Sequence, residues 1–116
     1  MKKTLIVILS IVALVILQNC GSSKKMNKAK EPAVSFEKDV MPILQTRCTP
    51  CHFPPGGRKK PLNTYDAVKA NIVDVITRVK LSPTANGFMP WQGKKPALSD
   101  TMINTLEQWQ KQNFPQ

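Results

Sequence analysis

The chain has 116 residues, 41% of them hydrophobic, and its 17 lysines and arginines against 7 acidic residues give a formal charge of +10. A single histidine excludes bis-histidine coordination within one chain, and the few carboxylates give no support to acid–base catalysis around a reactive centre. Three cysteines and that one histidine leave a closed four-ligand zinc site short unless all four are spent on it.

Residues 1–19 read as a signal peptide of the lipoprotein type. Lys2 and Lys3 give a positive start, and Leu5 to Leu17 is apolar apart from Ser10. That run of 13 residues suits a secretory core and falls short of the roughly 20 that a membrane span needs. It ends at Leu17-Gln18-Asn19-Cys20, which resembles a bacterial lipoprotein cleavage box with Cys20 as the lipidation site. An uncleaved signal anchor is the alternative, and either version exports the chain and tethers it at a membrane. Cleavage before Cys20 leaves 97 residues with a charge of +8, from 15 basic and 7 acidic side chains. Residues 20–34, rich in Ser, Lys and Ala and without apolar periodicity, read as a flexible membrane tether. Its Lys24, Lys25, Lys28 and Lys30 suit anionic lipid headgroups.

The folded domain is expected over 35–116, a length that struggles to bury a sufficient core alone. Ser35 is placed to cap a helix over Phe36 to Cys48, with Phe36, Val40, Ile43 and Leu44 facing inward. Pro42 inside that run should kink the helix or reset its start. Thr64 or Asn63 can cap a short helix from Tyr65 to Ala70, and Asn71 can open another in which Ile72, Val75, Ile76 and Val79 form a stripe. The density of Val, Ile and Thr leaves a strand as the alternative there. Residues 82–96, with three prolines and two glycines, read as irregular. Ser99 caps the last helix, whose buried face is Met102, Ile103, Leu106 and Trp109 and which ends near Phe114-Pro115. The pattern is all-α, with the first and last helices crossing.

Between the first two helical stretches lies Cys48-Thr49-Pro50-Cys51-His52, the attachment signature of a c-type haem. The spacing lets two thiols reach the two vinyl groups of one porphyrin while the adjacent imidazole ligates iron. Such a group would also lend a small domain the apolar disc its core lacks. Two other readings compete. Half of a zinc site is one, and a thiol–disulfide centre is the other, since Thr49-Pro50 is similar to the interior of thioredoxin-like sites. Those sites open a helix after a strand, and no convincing strand precedes Cys48.

With one histidine, the second axial ligand of such a haem points to methionine. Met1 leaves with the signal, Met26 lies in the tether, Met41 stands on the helix leading into the attachment site, and Met102 reads as core filler. Met89, in the irregular Gly87-Phe88-Met89-Pro90-Trp91 and 37 residues after His52, is the candidate distal ligand.

Taken together, Phe36 to Leu44, the Cys48–His52 motif, Met89-Pro90, Leu98-Ser99-Asp100 and Trp109 resemble a small bacterial class I monohaem cytochrome c. The resemblance covers nearly all of the chain after the tether. It implies a small cytochrome c-like helical fold around one covalent haem c, with no enzymatic activity. Cys48 and Cys51 would be the thioether anchors, His52 the proximal ligand and Met89 the distal one. The proximal imidazole would give its other N–H to a backbone carbonyl, with Pro61 or a neighbour as the candidate, and Leu62, Tyr65, Phe88 and Trp91 are candidate pocket contacts or ordinary core.

The function these expectations describe is a membrane-tethered carrier, on the periplasmic side, that passes single electrons between respiratory proteins. The alternative is a haem-based gas sensor or ligand-binding module with an open distal position. Arg58-Lys59-Lys60 and Lys94-Lys95 would steer an acidic redox partner. Neither nucleic acid nor a small-molecule substrate is expected for an exported, tethered chain of this kind.

Overall fold

The computed structural model describes residues 31–57 and 59–116. The expected signal peptide, Cys20, Met26, Arg58 and the tether up to residue 30 lie outside the described residues. The described elements are a π-helical turn Phe36–Val40, helix α1 Met41–Arg47, helix α2 Tyr65–Val79, a 3-10 turn Trp91–Gly93 and helix α3 Asp100–Lys111. Among the described residues there is no strand, and no helix is long and apolar enough to cross a membrane.

Pro42 explains the break in the first helical stretch. It has no N–H to return to Lys38, so the chain closes one wide turn and starts again, with the proline in the first turn of α1. Ser35 caps the wide turn. Its Oγ accepts from the Lys38 N–H at 3.5 Å, and its own N–H donates to Asp39 Oδ2 at 2.7 Å. Phe36, Val40, Ile43 and Leu44 are buried, as their spacing requires.

Residues 65–79 form one helix, not two. Thr64 caps it, its Oγ1 accepting from the Ala67 N–H at 3.3 Å. Asn71 opens nothing. It sits inside the helix and donates from Nδ2 to the Ala67 carbonyl, one turn back, at 2.7 Å. The β-branched residues do not make a strand because their period is helical. Val68, Ile72, Val75, Ile76 and Val79 are buried, while Val73 on the other side is 64% exposed.

Ser99 Oγ accepts from the Met102 N–H at 3.3 Å and starts α3. Leu106 and Trp109 are fully buried, and Met102 and Ile103 are half-buried against the core. The C-terminus reverses through Asn113 and Phe114, both left-handed with φ of 63° and 62°. This turns Phe114 back onto Trp109, with ring centroids 5.0 Å apart.

An aromatic cluster ties the beginning of the domain to its end. Phe36 lies 5.4 Å from Trp109 and 5.3 Å from Tyr65, centroid to centroid. The Pro115 carbonyl accepts from both the Phe36 N–H (3.2 Å) and Trp109 Nε1 (2.8 Å), and the Tyr65 hydroxyl donates to the Phe114 carbonyl at 2.8 Å. Gln112 extends the clamp. Its amide accepts from the Val34 N–H at 2.8 Å and donates to the Pro32 carbonyl at 3.1 Å. The first helical turn therefore packs against the last helix, and the Cys48–His52 motif and Met89 lie in the loops 48–64 and 80–98.

Candidate functional site

The loop that follows α1 gathers three of the expected donors within five residues. Cys48 caps α1, its N–H donating to the Leu44 carbonyl at 2.8 Å, and His52 donates its N–H to the Cys48 carbonyl at 3.0 Å. One more helical turn thus carries the chain from Cys48 to His52. Thr49 Oγ1 secures the turn by donating to the Gln45 carbonyl at 2.7 Å.

Gly57 folds the rest of the loop back over this turn. Its N–H donates to the Phe53 carbonyl at 3.0 Å, and a Cβ at this position would run into the carbonyl oxygens of Pro50 and Cys51. Only glycine lets the backbone pass so close. The Lys59 N–H then donates to the Cys51 carbonyl at 3.2 Å, and the Leu62 N–H to the His52 carbonyl at 2.8 Å.

The imidazole is held by the same returning segment. His52 Nδ1 lies 2.7 Å from the Lys60 carbonyl oxygen. A carbonyl can only accept, so in the neutral ring Nδ1 carries the proton and Nε2 keeps the free lone pair. The carbonyl is that of Lys60, the neighbour of Pro61, because the bonds from Lys60 and Leu62 to His52 bracket the proline.

Cys48 and Cys51 are both free thiols in different surroundings. Cys48 is half-buried against the core, and burial pushes its thiol up to about 11, whereas Cys51 is exposed. This bears on the thiol–disulfide reading. Redox-active dithiols stand at the positive start of a helix, where the thiolate is favoured, and Cys48 stands at the negative end of one. Among the described residues no three His, Cys, Asp or Glu side chains gather into a metal-binding group.

Met89 belongs to a separate segment anchored on the end of α2. Its N–H donates to the Arg78 carbonyl at 3.3 Å, and its side chain is half-buried against the same core that Cys48 touches. Of the candidate pocket contacts, Leu62 and Phe88 are buried, and Tyr65 is engaged in the aromatic cluster. Trp91 is 53% exposed, with Lys94 Nζ 5.0 Å from its ring centroid.

Two residues escaped the sequence reading. Gly57 is one, and the glycine pair Gly56-Gly57 is the signal that could have found it. Arg47 carried none. It reaches with Nη1 to the Pro96 carbonyl at 3.5 Å, and its buried Nε has no partner. No family model, curated protein or solved structure matches the chain.

Proposed function

We propose that this protein is an exported, membrane-tethered monohaem c-type cytochrome that carries single electrons between redox proteins. One observation carries the reading: an imidazole fixed through Nδ1, with Nε2 free, in the same turn as two free thiols. This donor set fits a c-type haem. Cys48 and Cys51 supply two sulfurs for thioether bonds, and His52 Nε2 supplies the proximal ligand. The thioether of Met89 is the distal ligand in this reading.

When bound, the haem supplies an iron that takes up and releases one electron. The chain does the rest. The Lys60 carbonyl orients the His52 ring, Gly57 keeps the attachment loop closed over the motif, and the Arg78 carbonyl holds the backbone of Met89. With His52 and Met89 both spent on holding the group, no open position would remain for a substrate, which favours carriage over catalysis. Methionine ligation raises the reduction potential.

Optical spectra of the full chain, produced with a haem-attachment system, test this directly. A covalent low-spin spectrum is expected, unresponsive to carbon monoxide, with a near-infrared sulfur-to-iron band that disappears in Met89→Ala. A high-spin spectrum that shifts with carbon monoxide would instead establish an open distal position and a sensing module. A chain that takes up no haem would overturn the reading.

A further inference from the structure

Arg78, in the last turn of α2, holds the segment that carries Met89 at more than one point. Its carbonyl accepts from the Leu81 N–H (3.4 Å) as the chain leaves the helix and from the Met89 N–H (3.3 Å) as the chain returns. Residues 81–89 thus form a loop that starts and ends on one residue. Two turns in series fill it, closed by the Ala85 N–H to the Ser82 carbonyl (2.8 Å) and the Phe88 N–H to the Ala85 carbonyl (3.2 Å). Gly87 takes the third place of the second turn with φ 89°, a conformation that favours glycine.

The side chain of Arg78 adds a further hold. Nη1 donates to the Gly87 carbonyl at 3.4 Å, and Nε donates to Asp74 Oδ1, one turn back, at 2.9 Å. A guanidinium is a planar fork, so holding Nε fixes the direction in which Nη1 points. Both side chains of this ion pair are about half-exposed, and such a pair contributes little to stability. Its use is geometric. The Gly87 carbonyl and the Met89 N–H flank Phe88, whose side chain is buried. The backbone on both sides of Phe88 is therefore tied to Arg78.

We propose that the Arg78 guanidinium, aimed by Asp74, positions Met89: it sets how firmly the thioether is presented, and so how readily another ligand takes its place. This rests on the haem reading, in which Met89 is the distal ligand. The bond to the Met89 N–H comes from the Arg78 backbone and survives substitution of the side chain. Removing the guanidinium therefore loosens the loop without detaching it.

The test uses the full haem-loaded chain. Imidazole in solution competes with Met89 for the distal position, and loss of the near-infrared sulfur-to-iron band follows the exchange. Arg78→Met keeps an unbranched stem and loses the fork. It should raise imidazole affinity about threefold, the size expected of one long, half-exposed hydrogen bond from a charged donor. Arg78→Lys keeps the charge beside Asp74 but not the fork, and should match the methionine variant. Asp74→Asn should raise the affinity less, and should add nothing in the Arg78→Met background, because Asp74 acts through Arg78. Lys80→Gln breaks the other ion pair, to Glu107, at the same end of α2, and should leave the affinity at its wild-type value. Amide exchange across residues 81–89, read by mass spectrometry, should quicken in Arg78→Met and not in Lys80→Gln. Wild-type imidazole affinity in Arg78→Met, rescue by lysine, additive effects at positions 74 and 78, or an equal rise in Lys80→Gln would each overturn the proposal while the haem reading stands. A wild-type chain without haem, or with haem and no near-infrared band, would overturn that reading and the proposal with it.

Discussion

His52 Nδ1 and the carbonyl oxygen of Lys60 lie 2.7 Å apart, and that bond fixes the direction in which a surface imidazole presents its other ring nitrogen. The acceptor is backbone, so no substitution at Lys60 removes it. What controls it is the path of the chain between residues 52 and 62, returned across the motif by bonds from Gly57, Lys59 and Leu62.

Gly57→Ala is therefore expected to be among the most damaging single changes outside the motif. Its added methyl meets backbone atoms of Pro50 and Cys51, which cannot swing aside as a side chain would. The loop must open, at a cost on the order of 1–3 kcal/mol. Haem incorporation in cells should fall, while the adjacent Gly56→Ala, which meets only ordinary contact, should stay near wild type. Equal incorporation by both variants would show that the returning segment does not govern the site.

Cys48 makes the site sensitive to pH only while its sulfur is a free thiol. Burial raises its pKa from 9.0 to about 11, so the fold favours the protonated form. In the unfolded chain the proton leaves first as pH rises. The stability gained from the neutral thiol is complete below pH 9.0 and is lost on the way to about 11. Haem-free chain should thus lose stability across that window relative to Cys48→Ser, measured by denaturant melts at successive pH values. A thioether has no proton to release, so the attached form should show no such Cys48-dependent loss.

The sequence made the helical stretches legible because caps and apolar periods are local signals. Ser35, Thr64 and Ser99 all cap as read, and the stripes of α2 and α3 face inward. Pro42 was legible as a break but not as a wide turn. The split at Asn71 failed because asparagine inside a helix can bond one turn back as readily as it can cap. In the site, the spacing of Cys48, Cys51 and His52 announced itself. The orienting carbonyl was expected at Pro61 or a neighbour and is that of Lys60, whereas the close pass of Gly57 and the reach of Arg47 to Pro96 are tertiary facts, set by how distant backbone returns, and no local pattern encodes them.

The single-helix architecture of α2 gives a simple pair of substitutions. Thr64→Ala removes the oxygen that accepts from the Ala67 N–H and should cost about 1 kcal/mol. Asn71→Ala removes no cap. Alanine is the better helix former, so this change should be neutral or stabilising by a few tenths of a kcal/mol. Denaturant melts decide it, and an Asn71→Ala cost matching that of Thr64→Ala would restore two helices.

Trp109 carries the largest stability role in the domain. It is fully buried, touches Phe36, Tyr65 and Phe114, and donates from Nε1 to the Pro115 carbonyl that also accepts from Phe36. Trp109→Ala removes these contacts and leaves a cavity, at about 3–5 kcal/mol, a large part of what a domain this size possesses. Trp109→Phe separates the two contributions. It keeps most of the apolar contact and loses the indole donor, but Pro115 retains the Phe36 N–H, so the hydrogen-bond part should be about 1 kcal/mol. Melts of the haem-loaded chain should rank wild type above Trp109→Phe and Trp109→Ala last, with His52 ligation unchanged in the phenylalanine variant because the cluster and the attachment loop are separate parts of the fold. A phenylalanine variant as unstable as alanine would mean that the Nε1 bond, more than the packing, closes the two ends of the domain.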